Sequence, residues 1–195
     1  MSVDTHKPDQ QVTDWQVSLR YLREGNQRYR DGRTIVQGTT AGDREIMKGG
    51  QVPFVTVVTC SDSRVAPEIY FDQKLGDLFV IRNAGNVVGE VAMGTVEFAA
   101  EVVKTPLIVV VGHSDCRAVM GAFNGAVFQG NLETVMERIR PAVKGCGCVS
   151  EAIHANAEYV VNQIKANEIV KRNGVMAMAA YYDIETGVVS FGDAG

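Results

Sequence analysis

The sequence has little that would tie it to a membrane, a nucleic acid or an oxidising compartment. No apolar run approaches the length of a membrane-spanning helix. The first residues, Met1 to Gln11, are polar and hold no apolar stretch of the secretory-signal kind. The formal net charge is -4, so no basic excess argues for a nucleic-acid partner. Four cysteines in 195 residues do not make a disulfide framework for a chain of this length. No Gly-x-Gly-x-x-Gly follows the first apolar run, which excludes a dinucleotide fingerprint. Internal repeats and low-complexity linkers are also lacking. These absences point to a globular, cytoplasmic protein with no membrane or nucleic-acid partner. A chain of 195 residues is long enough to bury a full core, and residues 1–195 read as a single domain. Residues 1–50 form its N-terminal tail and helical arm, and residues 51–195 its α/β core.

Apolar patterning gives the order of elements. Met1 to Val12 reads as a loose tail. A helix is expected over Thr13 to Arg30, capped by Thr13 or Asp14, with Trp15, Leu19, Leu22 and Tyr29 on a partly apolar face. A short helix falls around Arg44 to Lys48. Strands are expected at Phe54–Thr59, Asp77–Arg82, Pro106–Gly112 and Val175–Tyr181, each short and apolar. Helices read over Val91–Val103, Cys116–Phe123, Leu132–Val143 and Val149–Lys171, with a helical turn at Pro67–Phe71. Val188 to Phe191 closes a hairpin. Alternating strands and helices predict an α/β fold: a central, mostly parallel sheet of four strands plus a C-terminal antiparallel edge strand, flanked by helices.

Two segments stand where these strands end. Cys60-Ser61-Asp62-Ser63-Arg64 follows the first strand, and Gly112-His113-Ser114-Asp115-Cys116 follows the third. In a parallel sheet both lie at the carboxyl edge, where open α/β folds place their sites. Two thiolates and an imidazole suit zinc, and three protein ligands leave a fourth position open for water. His113 and Cys116 are three residues apart, so one turn can direct both at one ion, with Cys60 arriving from the neighbouring strand. Asp62 and Arg64 can meet across a tight turn, which would fix an ionised carboxylate beside the metal. Asp62 could instead be the fourth ligand and close the site.

Together these residues resemble the β-class carbonic anhydrases. The first segment is highly specific to that family, and the second carries its His-x-x-Cys ligand pair. Leu22 to Tyr29 is similar to the family's N-terminal helix, Phe71 to Asn86 to its second-strand region, and Tyr182 to Gly187 to its C-terminal hairpin. The resemblance implies reversible hydration of CO2 to bicarbonate and a proton by zinc-bound hydroxide. It implies that Cys60, His113 and Cys116 hold Zn2+, and that Asp62 and Arg64 form the dyad that orients the hydroxide. Gln51, in Gly50-Gln51-Val52-Pro53, matches the family's Gly-Gln-x-Pro stretch, whose glutamine can hydrogen-bond CO2 or bicarbonate. Phe79 and Phe98 are candidate apolar walls. The family is built from homodimers, often paired into homotetramers, with sites at the subunit interface.

Three departures matter. Arg117 stands where the family usually has glycine, directly after the second cysteine ligand. It can face solvent, pair with Asp115, fill the substrate channel or bind an anion. Val57 stands where a bicarbonate-inhibited branch carries tryptophan, so the chain more closely resembles the branch with an open zinc position. Cys146-Gly147-Cys148 is additional and reads as ordinary thiols in a glycine-rich loop. Two other readings follow: hydrolysis of carbonyl sulfide or carbon disulfide, or a noncatalytic zinc-binding homo-oligomeric module altered by Arg117.

Overall fold

The computed structural model describes residues 10–36 and 40–193. Residues 1–9, most of the expected tail and including His6, lie outside the described residues. Val12, also assigned to that tail, is instead buried in the core.

Helix α1 (Trp15–Arg30) starts where Asp14 accepts a hydrogen bond from the Gln16 N–H at 2.8 Å. Helix α2 (Ala41–Met47) begins in a reciprocal capping box between Thr40 and Asp43. Strand β1 (Val55–Cys60) follows, then α3 (Pro67–Tyr70), whose first residue is the proline that a helix start tolerates. Strand β2 (Leu78–Asn83) leads through a 3-10 turn, Ala84–Asn86, into α4 (Glu90–Phe98), which widens into a π turn over Ala99–Val103. Strand β3 (Leu107–His113), α5 (Arg117–Phe123) and α6 (Asn131–Val143) come next.

The expected single helix over Val149–Lys171 is two helices, α7 (Val149–Ala166) and α8 (Glu168–Arg172). Asn167 breaks them with an extended backbone. Its side-chain oxygen accepts from the N–H groups of Ile169 and Val170, so it caps the second helix. Strand β4 (Met176–Tyr182) and β5 (Val189–Phe191) close the described chain.

The sheet order is β2-β1-β3-β4-β5, with β1 to β4 parallel and β5 antiparallel to β4. Every residue of β1 and β3 is buried, as expected for central strands covered on both faces. One face packs Val57, Val109 and Met178 against Leu22 of α1 and Ile139 of α6. The other packs Val58, Val110 and Ala179 against Val96 of α4 and Val160 and Ile164 of α7.

Helix α1 is tied down at Gly25 and Asn26. A Cβ at Gly25 would stand 1.8 Å from the Phe71 carbonyl oxygen, so only glycine permits that approach. Asn26 donates to the carbonyls of Tyr70 and Gly187 and accepts from the Val189 N–H. The register sets Cys60 beside Asn83 and His113 beside Tyr182, so all four parallel strands end at one edge.

Candidate metal centre

Cys60 is the last residue of β1, His113 the last of β3, and Cys116 caps α5. Between the last two the chain reverses at Asp115, whose φ of +56 lies in the left-handed region that aspartate tolerates better than most residues. That reversal returns Cys116 toward the strand ends. The two sulfurs stand 4.0 Å apart, and the ligand atoms of Cys60, His113 and Cys116 all lie within 4.8 Å of one another. All three residues are buried.

The histidine is set up as a donor to a metal. Its Nδ1 lies 2.8 Å from the Ser114 carbonyl oxygen, to which it donates. That fixes the proton on Nδ1 and leaves a lone pair on Nε2. Nε2 is buried and has no hydrogen-bond partner. A buried, unpartnered imidazole nitrogen in a group with two cysteine sulfurs fits a soft, tetrahedral ion.

Without the metal, the sulfurs share protons unequally. The Cys60 thiol is pushed down, chiefly by the hydrogen bond from Cys116, with the Gly85 N–H acting in the same direction. Cys116 is pushed up, first by that same pairing with Cys60 and then by burial. Metal binding needs both sulfurs as thiolates, so it is coupled to proton release.

Beside this group, Asp62 is gripped by Arg64. Nε of Arg64 donates to Oδ1 at 2.9 Å and Nη2 donates to Oδ2 at 2.8 Å, while the Arg64 backbone N–H also reaches Oδ1. The guanidinium holds the Asp62 carboxyl well below the usual carboxylate range. Asp62 is not one of the clustered metal-binding residues, and Arg64 contacts both its oxygens.

Arg117 is exposed and forms no ion pair among the described residues, Asp115 included. It lines an open cleft of about 620 Å³ with Asp62, Ser63, Arg64, Asp115 and Met120. Cys146 and Cys148 are free, the first half-buried and the second exposed.

Gln51, Phe79 and Phe98 are not brought to this centre within one chain. Gln51 is exposed and precedes β1, so it lies beyond the opposite end of that strand from Cys60, and the strand alone spans ~17 Å. Phe79 pairs in register with Thr56, four residues before Cys60. Phe98 stacks on Phe79, ring centres 6.2 Å apart, at the outer edge of the sheet.

Sequence reasoning missed two supports. Arg82 donates from Nε to the Cys60 carbonyl at 3.0 Å and from Nη2 to the Asp62 carbonyl at 2.7 Å, bracing the turn between them. Gly85, at φ +67, donates its N–H to Cys60 Sγ at 3.4 Å. The asparagine- and glycine-rich stretch Asn83–Asn86 was the available signal for the second.

A parallel sheet whose carboxyl edge gathers two cysteines and a histidine around one point defines an α/β protein built about a metal centre. A family model described as carbonic anhydrase matches residues 55–189. The chain belongs to the carbonic anhydrase family, in its β-class. It is 42% identical over 131 residues to carbonic anhydrase 2 of Mycobacterium tuberculosis, covering 65% of this chain and 63% of that protein. The matched stretch thus spans less than two thirds of that relative. A carbonic anhydrase of Mycolicibacterium smegmatis is 36% identical over 166 residues, 80% of this chain and 81% of that one. The solved structure of the β-carbonic anhydrase CcaA superposes with a TM-score of 0.67 at 28% identity, covering 91% of this chain and 88% of that chain.

Proposed function

We propose that this protein catalyses the reversible hydration of CO2 to bicarbonate and a proton, with zinc held by Cys60, His113 and Cys116. The observation that carries the reading is the buried, unpartnered Nε2 of His113 grouped with two cysteine sulfurs, with a clamped carboxylate alongside. Zinc in such a three-ligand site supplies a nucleophile by lowering the pKa of a coordinated water toward neutrality.

The chain's own residues do the rest. Asp62, kept ionised by Arg64, accepts a hydrogen bond from the attacking oxygen and so aims its lone pair. Arg64 is spent on Asp62 and acts as the brace for that direction. The cleft lined by Asp62, Arg64, Arg117 and Met120 gives CO2 and bicarbonate their way in and out.

The assembly is a homodimer, or a homotetramer of paired dimers, in which Gln51, Phe79 and Phe98 of one copy complete the site of another. What supports this is their distance from Cys60 within one chain, together with the apolar row Val91, Phe98 and Val102 left exposed along α4 and its π turn, beside edge strand β2. A cytoplasmic setting fits the unpaired Cys146 and Cys148, which a reducing compartment preserves. The described helices include none long and apolar enough to cross a membrane.

Loss of ¹⁸O from labelled bicarbonate tests the reading. Zinc-loaded protein is expected to accelerate exchange with water, and chelation to abolish the acceleration. Exchange at the buffer rate by fully loaded protein overturns it.

A further inference from the structure

Asn156 lies in the middle of α7, fully buried, on a stripe otherwise made of Ala152, Ile153, Ala157, Val160 and Val161. A primary amide in an apolar stripe is costly unless it is hydrogen-bonded. Its Nδ2 donates to the Gly85 carbonyl at 2.9 Å, across 71 residues of sequence, and this is the one bond the amide makes among the described residues, its Oδ1 having no partner. Gly85 in turn presents its own N–H to Cys60 Sγ at 3.4 Å. The neighbouring Asn86 is also buried, and its side-chain nitrogen has no partner, so it does not donate to the turn from that atom. A helix on one side of the sheet edge therefore holds, through one backbone turn, the donor that faces a candidate metal ligand.

We propose that Asn156 is a positioning residue of the metal centre, acting through the Gly85 turn to keep an N–H on the Cys60 thiolate. The inference rests on Cys60, His113 and Cys116 being the zinc site. An N–H donor stabilises a thiolate and draws charge from the sulfur. Glycine has no side chain with which to fix its own rotation, so an outside anchor on its carbonyl sets the direction of the turn. Without that anchor a buried carbonyl loses its partner and the turn relaxes. The Cys60 sulfur then loses its donor and its fixed orientation.

The test is metal binding rather than turnover. Metal-free wild type and Asn156→Ala are titrated with zinc against a chromophoric chelator, then loaded with cobalt(II) for absorption spectra. The thiolate-to-cobalt charge-transfer energy falls as the sulfur becomes richer in electrons, so the band reports the Cys60 environment. Asn156→Ala is expected to bind zinc about 10-fold more weakly, the low end for an outer partner of a metal ligand. Its charge-transfer band is expected at longer wavelength. Val160→Ala, one turn further along α7 and buried against the sheet, controls for simple loss of packing and is expected to keep wild-type affinity and spectrum. If the alanine variant does not fold, Asn156→Ser, too short to reach Gly85, takes its place with the same expected result. Wild-type affinity and spectrum in the Asn156 variant overturn the inference. So does a Val160→Ala protein that weakens zinc equally. A wild-type chain that takes up no zinc overturns the metal centre itself, which separates the two failures.

Discussion

Arg64 holds Asp62 through two parallel hydrogen bonds, 2.9 Å and 2.8 Å long, two residues after the carboxylate and four after Cys60. The pair is half in solvent, with Asp62 the more sheltered partner. An exposed ion pair of this kind contributes little stability. Its value is direction: a carboxylate gripped at both oxygens has one orientation.

Asp62→Asn removes the charge and keeps the shape. The expected result is a fall of about 10–100-fold in kcat/KM for CO2 hydration, with zinc still at one per chain. Stopped-flow assays and metal analysis of the same sample check it. Loss of zinc along with activity would assign Asp62 to the metal instead.

The pH dependence of that pair has a definite sign. Asp62 ionises below its unfolded value because Arg64 favours the charged form. Its contribution to stability is therefore fully present above the unfolded carboxylate value of about 4, and is lost as pH falls through the lowered one. The stability difference between wild type and Asp62→Asn is expected to stay flat from neutral pH down to about 5 and to shrink only in stronger acid. Denaturant melts across that range measure it, and a difference that changes near neutrality contradicts the assignment.

His113 owes its free Nε2 to the bond between its Nδ1 and the Ser114 carbonyl. His113→Ala is expected to lose stoichiometric zinc and to show no rise in melting temperature when zinc is added. The wild type is expected to melt higher with zinc than without, because the ion binds the folded chain preferentially. Calorimetry of loaded and stripped protein decides this.

Gly85 permits a turn no other residue would take easily. A Cβ there would meet Ile139 Cδ1 at 2.7 Å, and the φ of +67 disfavours a side chain in any case. Gly85→Ala is expected to cost about 1–3 kcal/mol of stability and to weaken zinc binding with it. Denaturant unfolding with a zinc titration reads both.

Phe98 is 48% exposed while stacked on Phe79, beside Val91 and Val102. A charge there should be tolerated by the single chain and opposed by an interface. Phe98→Glu is expected to shift the sedimenting species toward monomer and to lower hydration with it. An unchanged species would remove this face from the assembly.

The sheet was legible because its strands are short apolar runs, β-branched in β1 and β3; observed ends fall within a residue or two of the expected ones. The metal group was legible because its three members end or follow such runs. The Asn167 break was not, since a helical pattern continues through it and the break depends on a side-chain cap. Arg82 and Gly85 act on Cys60 through contacts of 22 and 25 residues' separation, involving backbone groups that residue type does not reveal. Asn156 did leave a trace, a single amide on an apolar helical stripe, but its partner is set only by the fold. Gln51 matches a family stretch and Phe79 and Phe98 are candidate walls by residue type, yet one chain keeps all three from its own centre.

Stopped-flow CO2 hydration, on protein with zinc measured at one per chain, tests the central claim most directly. Fast hydration that vanishes on chelation and returns with zinc is the predicted result. Hydration no faster than buffer at full zinc occupancy would contradict it and leave a metal centre without this chemistry.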